Sequence, residues 1–134
     1  LTYGDGVSDI NIDKLLEAHN NYKGTITMTS VQPDGRFGTF ESGADGKVSE
    51  FLEKPRGDGS WINGGYFVCE PKVFNYIKNG DVTIFEQEPL QEMASDGELY
   101  TYRHNGFWKC MDTLKDKNDL NEMCQADAAP WVSW

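Results

Sequence analysis

The run Thr25-Ile26-Thr27-Met28-Thr29-Ser30-Val31 opens on Gly24 and stops short of a Pro33-Asp34-Gly35 turn. β-Branched side chains crowd a helix but fit a pleated surface, so this run is a strand. The stretch before it, Asp13 to Asn20, has helical spacing, with Leu15, Leu16 and Ala18 on one face and Ile12 leading in. Ser8 or Asp9 is its expected cap. Further strands are expected at residues 37–41, 48–53, 62–70, 99–104 and 107–111, the first two joined by a Gly43-Ala44-Asp45-Gly46 turn. Helices are expected at 73–78, 85–95 and 113–125. Strands and helices interspersed in this way predict an α/β or α+β chain built on a mixed sheet.

Charge narrows the partners. The 134 residues carry 22 acidic and 12 basic side chains, a net charge of −10. Such a chain repels nucleic-acid backbones and anionic membrane surfaces, so neither is expected as a partner. A phosphorylated small substrate stays compatible, because a metal ion reverses the local field. Three cysteines, Cys69, Cys110 and Cys124, occur without a CxxC pair, which points to a reducing, cytoplasmic setting rather than a disulfide framework or zinc site. No apolar run approaches the roughly 20 residues of a membrane helix. The chain begins without Met on Leu1-Thr2-Tyr3-Gly4-Asp5-Gly6, a strand end entering a turn, and we expect it to be an excised piece.

Four segments carry the residue types of phosphoryl chemistry. Asp5, between Gly4 and Gly6, is either an Asp-Gly turn or a carboxylate placed to hold Mg²⁺ beside phosphates. Glu53-Lys54-Pro55 ends an apolar strand; it is either a solvated ion pair or a phosphate-binding lysine beside an acceptor for sugar hydroxyls. In Ile62-Asn63-Gly64-Gly65-Tyr66-Phe67 the paired glycines interrupt a strand. They mark a plain bulge or a place where a bound ring lies against the backbone, with Asn63 and Tyr66 offering hydrogen bonds to its hydroxyls. Asp112 closes the strand Phe107-Trp108-Lys109-Cys110-Met111, either as the cap of the following helix or as a second metal carboxylate facing Asp5. His19 reads as a surface residue of an acidic helix. His104 has no triad partner nearby in sequence. The Glu86-Gln87-Glu88 cluster reads as a solvated helix start or a sugar contact, and Trp131 and Trp134 as packing onto the core or another subunit.

The order of these segments resembles the sugar-1-phosphate nucleotidyltransferases. The runs Thr2-Tyr3-Gly4-Asp5-Gly6-Val7, Gly35-Arg36-Phe37-Gly38, Phe51 to Gly59, Ile62 to Val68, Glu86 to Leu90 and Met111-Asp112-Thr113-Leu114 resemble the branch that acts on glucose 1-phosphate and CTP. The resemblance implies the C-terminal part of an α/β, Rossmann-like nucleotidyltransferase fold, with a mixed sheet flanked by helices. It implies Mg²⁺ held by Asp5 and Asp112, and a nucleotide contact at the Gly4 backbone. Lys54 would hold the sugar phosphate and Glu53 the glucose hydroxyls, with Gly38, Asn63, Gly64 and Tyr66 lining the sugar pocket. CTP and glucose 1-phosphate are the implied substrates, and a homo-oligomer the implied assembly of the full-length protein.

The family's glycine-rich triphosphate loop has no counterpart here, so the piece alone is expected to be inactive. Rival readings are a uridylyl- or thymidylyltransferase of the same family, a non-catalytic carbohydrate-binding module, and an oligomerisation piece.

Overall fold

Strand β2 (Ile26–Val31) is the β-branched run of the sequence and the centre of a three-stranded sheet. Here and below the molecule is a computed structural model, which describes residues 1–35 and 37–132. Trp134 therefore lies outside the described residues, as does Arg36. β5 (Ile62–Cys69) pairs antiparallel with β2 on one side, and β6 (Leu99–Arg103) pairs parallel on the other, which makes the sheet mixed.

Alternation along β2 divides its side chains between two faces. Ile26 joins Phe67, Val73, Tyr76, Leu90 and Met93 in the buried core, with Met28 and Leu99 packed against it. The 3₁₀ turn Pro71–Tyr76 and helix α2 (Glu88–Ser95) cover this face. Helix α1 (Ile12–Tyr22) covers the other, where Thr27 Oγ1 lies 2.9 Å from His19 Nδ1. Helices thus flank the sheet on both faces, as expected for the α/β class.

His19 is a correction to the sequence reading. It is 3% exposed, and its second nitrogen lies 3.2 Å from Glu70 Oε1. A polar stripe of threonines on β2 gives a buried imidazole a hydrogen-bond partner, which the helix sequence alone does not reveal.

The helix ends also differ from expectation. Asn11, not Ser8 or Asp9, caps α1 by accepting from Lys14 N at 2.9 Å. Ser8 is unavailable because Gly6–Ser8 is strand β1, paired antiparallel with β7 (Trp108–Cys110). Of residues 73–78, Val73 to Tyr76 belong to the 3₁₀ turn and Ile77 and Lys78 lie beyond it, and α2 begins only at Glu88, with Pro89 in its first turn. Helix α3 (Leu114–Gln125) is capped by Thr113, which accepts from Asp116 N at 3.2 Å while Asp116 Oδ2 accepts from Thr113 N at 3.0 Å.

Strands β3 (Thr39–Ser42) and β4 (Val48–Leu52) form a hairpin with its own two-stranded sheet. Its turn is the expected one, with Gly46 N donating to Gly43 O at 2.9 Å. Among the described residues no helix is long and apolar enough to cross a membrane.

Candidate active site

The register of β2 against β5 slips across Gly64-Gly65-Tyr66. Met28 faces Phe67 but Ser30 faces Asn63, so three β5 residues lie opposite Thr29. Gly65 carries φ +77°, a conformation that favours glycine, and a Cβ there would sit 2.8 Å from the Tyr3 ring. The bulge reading of the glycine pair therefore holds, and the ring that lies against the Gly65 backbone is the chain's own Tyr3. Asn63 Oδ1 stabilises the bulge by accepting from Gly65 N at 2.8 Å.

The bulge receives the N-terminal residues and, through them, the first carboxylate. Tyr3 N donates to Gly65 O at 3.0 Å and Phe67 N to Leu1 O at 2.9 Å, so residues 1–3 run beside β5. Two aromatic side chains complete the junction. Tyr66 Oη donates to Gly6 O at 2.9 Å, and Trp108 Nε1 donates to Gly64 O at 2.8 Å. Each spans from β5 to the β1–β7 pair and fixes one against the other.

Asp5 and Asp112 leave this pair from neighbouring strand ends. Met111 N donates to Asp5 O at 2.7 Å, continuing the β1–β7 ladder by one step. Because Thr113 takes the helix cap, Asp112 is released from that role and lines the same cleft as Asp5. Its Oδ2 accepts from the Cys110 thiol at 3.1 Å. Burial, then this carboxylate, holds that thiol above its ordinary pKa, so it stays a donor. Among the described residues neither aspartate is in an ion pair. Two hard oxygen donors opening onto solvent suit Mg²⁺, which keeps water and phosphate ligands, better than zinc. Among the described residues no group of three or more His, Cys, Asp and Glu side chains is arranged to hold a metal.

The cleft has a volume of about 750 Å³. It brings together Asp5, Asn63, Gly64, Tyr66 and Asp112 of the expected site, walled by Phe107 and Trp108. Phe107 is backed by Trp131, whose ring stacks on it at 5.2 Å, so that part of the tail packs on its own chain. Gly4, Gly38, Glu53 and Lys54 are not among its lining residues. Glu53 and Lys54 lie at the end of the β3–β4 hairpin, 65% and 60% exposed, paired with each other at 3.4 Å. Gly38 lies against the Phe51 ring and the Glu53 carboxylate.

Several partners in the region are not legible in the sequence. Tyr3 accepts from Asn63 Nδ2 at 3.1 Å, and burial together with the Glu86 carboxylate pushes its hydroxyl up to about 12. Glu86 thus has a partner in the site rather than being a plain solvated helix start. His104 Nε2 lies 2.9 Å from Asp9 Oδ1, a pairing across 95 residues that ties the 104–107 loop to the end of β1. Arg56 lines the cleft and reaches the carbonyls of Asn105 and Gly106 at 3.4 and 3.5 Å. Its position two residues after Lys54 was the available signal.

Comparison with known proteins shows the family and the fold. Residues 2–125 match the family described as Nucleotidyl transferase. The chain is 47% identical over 133 residues to the glucose-1-phosphate cytidylyltransferase of Salmonella typhimurium, covering 99% of this chain and 51% of that one. It is 32% identical over 124 residues to the mannose-1-phosphate guanylyltransferase catalytic subunit beta of Danio rerio, covering 90% and 34%. The solved structure of HddC from Yersinia pseudotuberculosis shares the fold at a TM-score of 0.62 and 19% identity, over 90% of this chain and 52% of that one. The chain spans about half the length of the Salmonella relative it matches. With the family match running through both cleft aspartates and the bulged strand between them, the chain belongs to the nucleotidyl transferase family.

Proposed function

We propose that the full-length protein transfers a cytidylyl group from CTP to glucose 1-phosphate, giving CDP-glucose and pyrophosphate. The likeness to the Salmonella enzyme supports the choice of substrates. The observation that carries the reading is the pairing of Asp5 and Asp112 on adjacent strand ends, locked by the Met111 N to Asp5 O bond, within one cleft.

In this reading a phosphate oxygen of glucose 1-phosphate attacks the α-phosphorus of CTP. The bond to the bridging oxygen breaks, and pyrophosphate leaves with its electron pair. No covalent bond to the protein is required, so the chain's work is positioning and shielding. Asp5 and Asp112 would hold Mg²⁺, which when bound neutralises charge on the phosphates. Asn63 already donates one amide hydrogen to Tyr3 Oη and accepts from Gly65 N with its oxygen, which leaves one N–H for a sugar hydroxyl. Tyr66 has committed its proton to Gly6 O, so toward substrate its oxygen can only accept. Phe107 and Trp108 exclude water from one wall. Lys54 and Glu53 are assigned the sugar phosphate and glucose hydroxyls, Gly4 a backbone contact to the nucleotide, and Gly38 and Gly64 the walls around the sugar.

The test is pyrophosphate release by the full-length protein, with Mg²⁺ and each of CTP, UTP, dTTP and GTP, against glucose 1-phosphate and mannose 1-phosphate. CTP with glucose 1-phosphate should give a kcat/KM at least about tenfold above every other pair, a gap of about 1.4 kcal/mol. A higher kcat/KM with another nucleotide or sugar would overturn the assignment.

A further inference from the structure

Among the described residues, five aspartates and three cations line the cleft: Asp5, Asp34, Asp112, Asp116 and Asp119 against Arg56, Lys109 and Lys115. A sugar phosphate entering such a site carries its own negative charge into an acidic surrounding. It therefore needs a cation whose charge is not already committed.

Two of the three are committed. Lys109 Nζ and Lys115 Nζ both donate to Asp119 Oδ2 at 2.7 Å, and together they hold the Asp119 carboxyl below its ordinary pKa. Arg56 differs. Among the described residues no carboxylate pairs with it, and its guanidinium donates only to the Asn105 and Gly106 carbonyls, at 3.4 and 3.5 Å. These distances are at the limit of hydrogen bonding, and neutral acceptors at that range are readily exchanged for phosphate oxygens.

The backbone on each side of this contact is fixed. Gly57 N donates to Pro33 O at 2.6 Å, anchoring the turn that carries Arg56 against the cleft segment Gln32 to Gly35. Across the cleft, the His104–Asp9 pair and the Ser8 Oγ to Phe107 O bond at 2.8 Å hold the loop that Arg56 reaches. A planar five-donor group thus stands in the lining of the site, whereas Lys54, the expected phosphate ligand, is paired with Glu53 on the hairpin.

We propose that Arg56 is a phosphate-binding residue of this site, its guanidinium exchanging the Asn105 and Gly106 carbonyls for oxygens of the sugar phosphate. The inference rests on the reading of the cleft as a sugar-phosphate site and adds a residue to it.

The experiment uses the full-length protein and the variants Arg56→Gln and Arg56→Lys, with two readouts. In pyrophosphate release, Arg56→Gln should raise KM for glucose 1-phosphate about 10- to 100-fold, as expected for losing charge-assisted hydrogen bonds, while KM for CTP changes less than about twofold. Arg56→Lys should fall between, since a point charge replaces the fork. In direct calorimetric titration, inorganic phosphate should bind the wild type more tightly than Arg56→Gln, with Arg56→Lys again intermediate. An unchanged KM for glucose 1-phosphate together with unchanged phosphate binding overturns the inference. So does an equal rise in both KM values with a lowered melting temperature, which marks Arg56 as a structural strap. If Arg56→Gln does not fold, Arg56→Lys decides by the same criteria. A wild type inactive with CTP sinks the cytidylyl reading instead, and the phosphate titration still decides the role of Arg56.

Discussion

The bulged strand β5 and the β3–β4 hairpin start from similar sequence material and end as opposite kinds of structure. Both are antiparallel pairings with aromatic residues, and both contain a glycine at φ +77°, Gly65 in one and Gly46 in the other. Around Gly65, bonds arrive from residues far away in sequence: Tyr66 to Gly6, Asn63 to Tyr3 and Trp108 to Gly64. Around the hairpin the bonds are local, and the facing pair Phe40 and Phe51 stays 62% and 61% exposed. A two-stranded ribbon with both faces open gains little stability of its own. The difference teaches where this chain fixes geometry: at the strand ends carrying Asp5 and Asp112, not at Glu53 and Lys54.

The largest test of that contrast replaces one carboxylate from each region. Asp112→Asn in the full-length protein should lower kcat by about 100- to 1,000-fold, the scale on which losing one preorganised electrostatic group costs turnover. Its melting temperature should hold, because Asp112 is exposed and Thr113 performs the capping. Glu53→Gln should act mainly through KM for glucose 1-phosphate. A fall in kcat for Glu53→Gln as large as that for Asp112→Asn would break the comparison, placing the chemistry on the hairpin as much as on the strand ends.

The next test compares the two glycines. Gly46→Ala forces a left-handed alanine into open space, where nothing lies within 4 Å of the new methyl. It should cost about 1 kcal/mol in a denaturant titration. Gly65→Ala carries the same backbone strain and also drives a methyl to 2.8 Å from the Tyr3 ring. Its cost should be larger, about 3 kcal/mol, once overpacking is added. Equal losses at the two positions would mean that the bulge has room to relax, and that its long-range bonds do not fix it.

These contrasts also explain what the sequence could and could not convey. The central strand, the interruption at Gly64-Gly65, the Gly43–Gly46 turn and the two aspartates at strand ends depend on local propensity and spacing, and they were legible. Even the release of Asp112 had a local signal, since Thr113 and Asp116 stand at capping-box spacing. The burial of His19 was not legible, because its partners Thr27 and Glu70 belong to other elements. Nor was the Asn11 cap, which follows from Gly6–Ser8 pairing with residues a hundred positions later. Lys54 carries the stronger sequence signal of the two, while only the folded chain shows that Arg56 lines the cleft and Lys54 does not. Local chemistry predicted elements; the alliances between elements, which decide the site, required the fold.

The smallest effect isolates a single bond of the rigid region. Tyr3 joins that region twice, through its ring on Gly65 and through its hydroxyl between Asn63 and Glu86. Removing the hydroxyl with Tyr3→Phe keeps the ring and strands one Asn63 N–H, a loss of about 0.5–1.5 kcal/mol at neutral pH. The alkaline limb gives the sharper readout. Burial first, then the hydrogen bond to Glu86, raises the Tyr3 hydroxyl from 10.0 to about 12 in the folded chain. Below pH 10 the hydroxyl is neutral in both folded and unfolded states, and its contribution to stability is whole. Between pH 10 and 12 the unfolded chain releases this proton while the folded one retains it, so stability falls through that window. Tyr3→Phe should therefore start slightly lower at neutral pH yet decline less steeply above pH 10, measured as denaturation midpoints across the two proteins. Parallel declines would show that the hydroxyl ionises as freely in the fold as outside it, and that this corner of the bulge is as open to solvent as the hairpin.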